Sequence, residues 1–376
     1  MKFFAKHKGD LVMIAFFSVL CIAIPFIDLM PKVERQPGEK VRALVLDADN
    51  THLERRGVLT SGFQTLKVRI LSGTHKGAEF TAANQLRSQM ELDKLFKPGD
   101  IILAGIPADS QPGVDIINAQ DHYRVNLTIW LFALFALLLI AFGGLIGLKA
   151  LISFIFTCQV IWFIMVPLCL KGFNPIIIAM LIVVILSAAI IYIVAGFTPT
   201  GHTAFAGAFS GVLASCIMAI FFTNLFRING AGMPYAQALY YSGYEFLDLA
   251  ALYTGAICLA ASGAVMDLGM DVAVGMREVV QHHRSISRNE LIKSGLRIGR
   301  SVVGTMTTTL LLAYSGGYLT LMMTFAANGV HPVDFINNPH VAGEIVKTII
   351  GSFGLVLVAP FTAIIGGFIL VRRRAR

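Results

Sequence analysis

The stretch VNLTIWLFALFALLLIAFGGLIGL, Val125–Leu148, decides the fold. It contains no charged residue, and at 1.5 Å per residue a helix of this length reaches about 36 Å, enough to cross a hydrocarbon core of about 30 Å. Seven further apolar segments predict a polytopic α-helical membrane protein with eight spans. They are Leu11–Ile27, Leu151–Leu170, Pro175–Phe197, Thr203–Leu225, Phe246–Met270, Val302–Ala327 and Ile345–Leu370. Across the 376 residues, 56% are hydrophobic and 14% charged, and the mean hydropathy is +0.73. A soluble chain carries about 25% charged residues, so an ordinary soluble domain is excluded.

The charges orient the spans. Lys and Arg flanking short loops favour the cytoplasmic side, and the strongest basic run is Arg277, Arg284, Arg288, Lys293, Arg297 and Arg300 against Glu278 and Glu290. With eight spans, both termini and the basic loop 277–300 share that side, together with Arg372, Arg373, Arg374 and Arg376. Lys171, on the outer side, is a minor dissent. Residues 1–30 read as a cytoplasmic tail and an anchor. Lys2, Lys6 and Lys8 precede an apolar run that ends Ile24-Pro-Phe-Ile-Asp28, without a small-residue cleavage site. Residues 125–376 form a seven-helix membrane domain that has the lipid bilayer as its solvent.

Residues 31–124 are polar and form a small extracytoplasmic domain. Thr65-Leu-Lys-Val-Arg-Ile70 alternates, with Leu66, Val68 and Ile70 on one strand face and Lys67 and Arg69 on the other. Val41–Leu46, Ala78–Ala83 and Ile101–Gly105 supply further strands, and a small barrel of oligonucleotide-binding or SH3-like type would close them. Lys67, Arg69 and Lys76 read as solvated charge and His75 as a lone turn residue. A barrel of this size admits a protein partner.

The chemistry-bearing residues lie inside the membrane segments. Asp248, Asp267 and Asp271 interrupt an apolar helix, and a carboxylate at membrane depth is costly unless it meets protein, water or an ion. Asp267 and Asp271 are four residues apart, hence on one helix face, which Ala264, Ala260 and Ala256 continue. The next span offers Thr305, Thr307 and Thr309, followed by Tyr314-Ser-Gly-Gly-Tyr318, where Gly316 and Gly317 are placed to interrupt a helix. Together these nine residues suggest a conduit for a small solute or ion. A structural alternative pairs Asp267 and Asp271 with Arg277, Arg297 or Arg300.

Other function classes lack a signature. The chain has no phosphate loop, dinucleotide fingerprint, HExxH site or nucleophile elbow, so neither an enzyme nor a cofactor is expected. Cys21, Cys158, Cys169, Cys216 and Cys258 all lie in apolar stretches and read as packing residues. His282-His283 reads as a solvated pair, so no metal site is expected. The basic run has no stacking aromatics or nucleic-acid module, so no nucleic-acid partner is expected.

Ile70-Leu-Ser-Gly-Thr-His-Lys-Gly77, Lys171-Gly-Phe-Asn-Pro175, Gly263-Ala-Val-Met-Asp-Leu-Gly-Met-Asp271, Ser294-Gly-Leu-Arg-Ile-Gly-Arg300 and Gly304-Thr-Met-Thr together resemble the YibE/F-like family of bacterial multipass membrane proteins. The similarity runs from about Leu66 to Pro360. It implies a bacterial plasma-membrane protein with an extracytoplasmic N-terminal domain and a permease-like membrane domain. Thr308 departs from the family pattern, in which asparagine is common. The function expected is a permease or secondary transporter of a small solute or ion; the alternative is a membrane scaffold or regulator.

Overall fold

A computed structural model describes residues 8–31, 38–90, 93–283 and 285–372. The chain divides into two compact units. One lies within residues 32–138, and the other joins the residues up to 31 to those from 139 onward.

The first unit is built on six strands: β1 (Gly38–Asp49), β2 (Leu53–Arg56), β3 (Leu59–Ile70), β4 (Glu79–Arg87), β5 (Ile101–Pro107) and β6 (Ile116–His122). Their order is β1-β5-β6-β4-β3-β2, and β1 also pairs with β3, so five strands close on themselves while β2 extends β3. Closure removes the exposed sheet edges that an open arrangement would leave. The alternation read from the sequence holds: Leu66, Val68 and Ile70 are buried and Lys67 and Arg69 exposed. The interior is apolar around Val41, Phe80, Ile102 and Ile117. A buried polar plug sits beside it. Gln64 donates to the Phe96 carbonyl at 2.8 Å and accepts from the Phe96 N–H at 3.1 Å and from Asn84 at 3.0 Å. β2 and β6 were not foreseen, because Leu53-Glu-Arg-Arg56 does not alternate and Ile116–His122 is short and mixed in polarity.

The helices are α1 (Lys8–Ala23), α2 (Val125–Val160), α3 (Val166–Leu170, joined to α2 by a π-helical turn), α4 (Pro175–Ala195) and α5 (Pro199–Leu225). They continue with α6 (Ala236–Tyr241), α7 (Leu249–His282), α8 (Arg288–Gly316), α9 (Leu319–Ala327), α10 (Pro332–Asn337) and α11 (Pro339–Arg372). Local chemistry sets their starts. Asn174 caps α4 and Thr198 caps α5, each followed by a proline whose missing N–H costs nothing there. Ser287 and Glu290 form a reciprocal capping box at α8.

Among the described residues, five helical segments are long and apolar enough to cross a membrane, or six if the bent pair α8/α9 is one span. By length and composition this accounts for five or six of the eight spans expected. Leu11–Phe26 is apolar but falls in a shorter class, and the 46 residues of Val125–Leu170 count once although they are broken within. The division expected near Lys149 is absent, since Lys149 is buried within the helix. The break lies instead at Gly144, with φ +53° and ψ −125°, a conformation open to glycine. It turns the chain enough that a side chain at Gly147 would meet the Leu139 carbonyl.

Two other boundaries move. The basic stretch 277–300, expected as a loop, is mostly helix, because α7 runs to His282 and α8 begins at Arg288. The last helix starts at Pro339 rather than Ile345 and runs unbroken past Pro360.

α5, α7 and α11 form the centre of this unit, packed through Val212, Val265, Leu268, Leu355 and Val358. Lipid is as apolar as these side chains, so close approach rather than water exclusion holds helices together in a membrane. Glycines supply that approach: a Cβ on Gly207 would lie 2.0 Å from Thr362 Oγ1, and one on Gly354 2.1 Å from Ser215 Oγ. A second cluster joins α1, α2 and α4, where Phe17 meets Phe156 edge to face at 5.2 Å. Cys169, Cys216 and Cys258 are buried among apolar neighbours, as packing residues.

Candidate functional site

α7 carries the three aspartates singled out in the sequence. Asp248 is its N-cap and accepts from the Ala251 N–H at 3.0 Å, so this carboxylate satisfies an orphan donor of the helix end. Further along, Ala256, Ala260, Gly263, Asp267 and Asp271 form one exposed stripe. Ala264, expected on this face, instead packs against the central core. The reason is helical periodicity: alternating steps of three and four track the face, so Gly263 rather than Ala264 precedes Asp267.

Neither Asp267 nor Asp271 has a hydrogen bond or ion pair among the described residues. The structural pairing with arginine is therefore not observed there. Arg277 directs Nη1 toward Thr200 Oγ1 at 3.5 Å, and Arg288 lies over the Phe368 ring at 4.4 Å.

The hydroxyls of α8 are turned inward on their own helix. Thr305 donates to the Val302 carbonyl at 2.9 Å, Thr307 to Val303 at 3.0 Å and Thr309 to Thr305 at 2.9 Å. The structure does not bring them to the aspartates. Gly316 and Gly317 do interrupt the helix as read from the sequence: α8 ends at Gly316, and α9 leaves from Leu319 at a bend of 64°.

That break helps build a cluster that the sequence reading found only in part. Tyr314 and Tyr318 flank it, and both rings face Lys347 of α11, whose Nζ lies 5.3 and 5.6 Å from their centroids. Lys347 in turn pairs with Glu344, one turn earlier on α11. Both carboxylate oxygens are 2.7 Å from Nζ, and Oε1 accepts its hydrogen bond. Oε2 is buried against the same ammonium. From α7, Tyr253 donates to the Gly343 carbonyl and closes the other side.

Two cavities meet at this cluster. One, of about 480 Å³, is lined by Arg227, Asn229, Tyr253, Ala256 and His340 among others. The second, of about 290 Å³, is largely apolar and lies between α8, α9 and α11. Tyr318 and Glu344 line both. Lys347 lines the larger, and Tyr314 the smaller.

Of the nine expected residues, Tyr314, Gly316 and Gly317 therefore fall at this cluster, while Asp267 and Asp271 lie further along α7, past its midpoint. Fourteen residues separate Tyr253 from Asp267, about 21 Å along the helix. Ala256 connects the two, since it lines the larger cavity and begins the exposed stripe that ends at Asp271. Glu344 was missed because the expected span began at Ile345, and Lys347 because it stands inside that span only two residues from its start. Their i,i+3 spacing behind Pro339 was the signal available. Chemically, the cluster is an ion pair between aromatic faces that can exchange one charged partner for another.

In the β domain, Glu79 engages both strand cations, Arg69 at 2.8 Å and Lys67 at 3.8 Å. The Arg69 hydrogen bond and the two positive charges hold the Glu79 carboxyl below its usual range. Among the described residues, no group of three His, Cys, Asp or Glu side chains is arranged to hold a metal.

A family model described as YibE/F-like protein matches residues 131–372, which include every element of both polar clusters but not the β domain. No curated protein matches the chain. No solved structure matches it.

Proposed function

We propose that this chain, which belongs to the YibE/F-like family of bacterial membrane proteins, is a permease for a small solute or ion. The observation that carries this reading is the Glu344–Lys347 pair at the junction of two cavities, beside a broken helix. Charged side chains within membrane bundles mark substrate and ion pathways, and interrupted helices place such sites in transporters. The exposed face of α7 gives a route from the larger cavity to Asp267 and Asp271.

Eight crossings follow if Leu11–Phe26 spans the bilayer, Val125–Leu170 crosses twice about Gly144, and α8/α9 counts once. The basic stretch 277–300 and both termini then face the cytoplasm. The larger cavity, at the opposite end of α7, then opens to the extracytoplasmic side.

The test is flux in proteoliposomes containing the full-length protein. Proton and ion currents and uptake of small solutes are compared between wild type and Glu344→Gln at equal insertion. Flux by wild type that falls at least tenfold in Glu344→Gln supports the reading, and flux unaffected by the substitution removes the cluster from the pathway.

A second reading, a scaffold that holds a protein partner, draws support from Val58, Phe63, Val114 and Ile116, which are exposed on the β domain. It predicts a stable complex that survives mild extraction and is lost when Phe63 and Ile116 are both changed to serine.

A further inference from the structure

We infer that Lys347 is a tethered occupant of a cation site, and that the solute admitted there is a small cation of ammonium-like chemistry that takes its place against Glu344. The inference deepens the permease reading and rests on it only in treating the cluster as the solute's site.

Three features build a cation site. A carboxylate ends it, with both oxygens 2.7 Å from the ammonium. Two tyrosine rings face the charge at 5.3 and 5.6 Å, within the range where aromatic faces attract cations. Glu344 Oε2 is buried, and the ammonium 2.7 Å away is the partner that a solute cation would replace. An ammonium on a long flexible stem can enter and leave such a site, where a guanidinium would be held as a planar fork.

The surroundings favour exchange over permanent pairing. The two rings stand on opposite sides of the helix break, Tyr314 on α8 and Tyr318 in the turn before α9, so movement at the Gly316–Gly317 break opens one side of the site. Lys347 borders the larger cavity, which gives the displaced ammonium a place to go.

An anionic solute fits less well. It would draw Lys347 away and leave Glu344 buried with no counter-charge, an arrangement that costs more than the exchange of one cation for another.

The probe is methylammonium, which matches the end of a lysine side chain. Its binding to full-length protein in nanodiscs is measured by calorimetry for wild type, Lys347→Ala and Glu344→Gln/Lys347→Ala, with N-methyl-D-glucamine as the ionic control. The expected result is saturable binding to Lys347→Ala at least tenfold tighter than to wild type, abolished in the double variant. Equal affinity for Lys347→Ala and wild type, or retention in the double variant, overturns the inference. If Lys347→Ala is too unstable to isolate, its yield from membranes extracted with methylammonium against the control reads the same property, and no gain in yield overturns it. Binding without flux would uphold the cation site and count against the permease reading alone.

Discussion

The two ends of the exposed stripe on α7 hold polar groups of different construction. At one end, Asp267 and Asp271 come from a single helix, stand exposed and have no partner among the described residues. At the other, Tyr253, Tyr314, Tyr318, Glu344 and Lys347 are brought together from three stretches of chain. The first kind of group needs only helical periodicity to form. The second exists only once α7, α8 and α11 have packed. The difference separates groups free to meet a mobile solute anywhere along a surface from groups that define one place for it.

The largest expected effect comes from breaking the assembled cluster. Removing one partner of a buried pair leaves an uncompensated charge and costs roughly 3–5 kcal/mol when burial is complete. The side chains of Lys347 and Glu344 retain 21% and 18% exposure, so Glu344→Gln or Lys347→Met should each destabilise by about 2–3 kcal/mol. The double variant should recover part of that loss, with a coupling of about 1–2 kcal/mol. Unfolding in one detergent across the four proteins measures it. Strict additivity would show that the pair does not act as a unit and would erase the contrast between the two ends.

The contrast also explains what could be read from the chain alone. Asp267 and Asp271 were visible because four-residue spacing is a local property, and Gly316-Gly317 because adjacent glycines weaken a helix wherever they stand. The partners of Lys347 lie 29 and 33 residues away in the sequence, at Tyr318 and Tyr314, and no periodicity links them. Glu344 fell just outside the expected span, because a charged first turn reads as a membrane edge. In the β domain, the alternation of Leu66, Val68 and Ile70 gave a strand and its buried face. The parallel pairing of β4 with β6 that helps close the barrel depends on chain crossing, which local pattern does not encode.

A smaller effect sharpens the comparison by removing a false member from it. Asp248 shares a helix and a side-chain type with Asp267 and Asp271, yet its carboxylate is occupied by the Ala251 N–H. Asp248→Ala should cost about 1 kcal/mol, the usual loss for an N-cap, and Asp248→Asn or Asp248→Ser much less, because both retain a capping oxygen. Flux per folded molecule should be the same in all three. A flux defect in the stable Asp248→Asn variant would return Asp248 to the pathway.

The smallest stability change is expected where the flux question is sharpest. Asp267 and Asp271 have no partner to lose among the described residues, and surface substitutions away from packed features stay within about 0.5 kcal/mol. Asp267→Asn/Asp271→Asn should therefore unfold like wild type. If the exposed face of α7 conducts a cation from the larger cavity, the same pair should slow flux by about tenfold, equivalent to ~1.4 kcal/mol in the barrier. Its methylammonium affinity in the Lys347→Ala background should be unchanged, because the cation site lies about 21 Å away along the helix. That combination, normal stability and binding with slow passage, distinguishes a route from a site. Normal flux would confine function to the assembled end and leave the aspartates as solvated charge at a membrane edge. Loss of binding as well would mean that the two ends are coupled through α7, whose buried face is packed against α5 and α11 along the intervening turns.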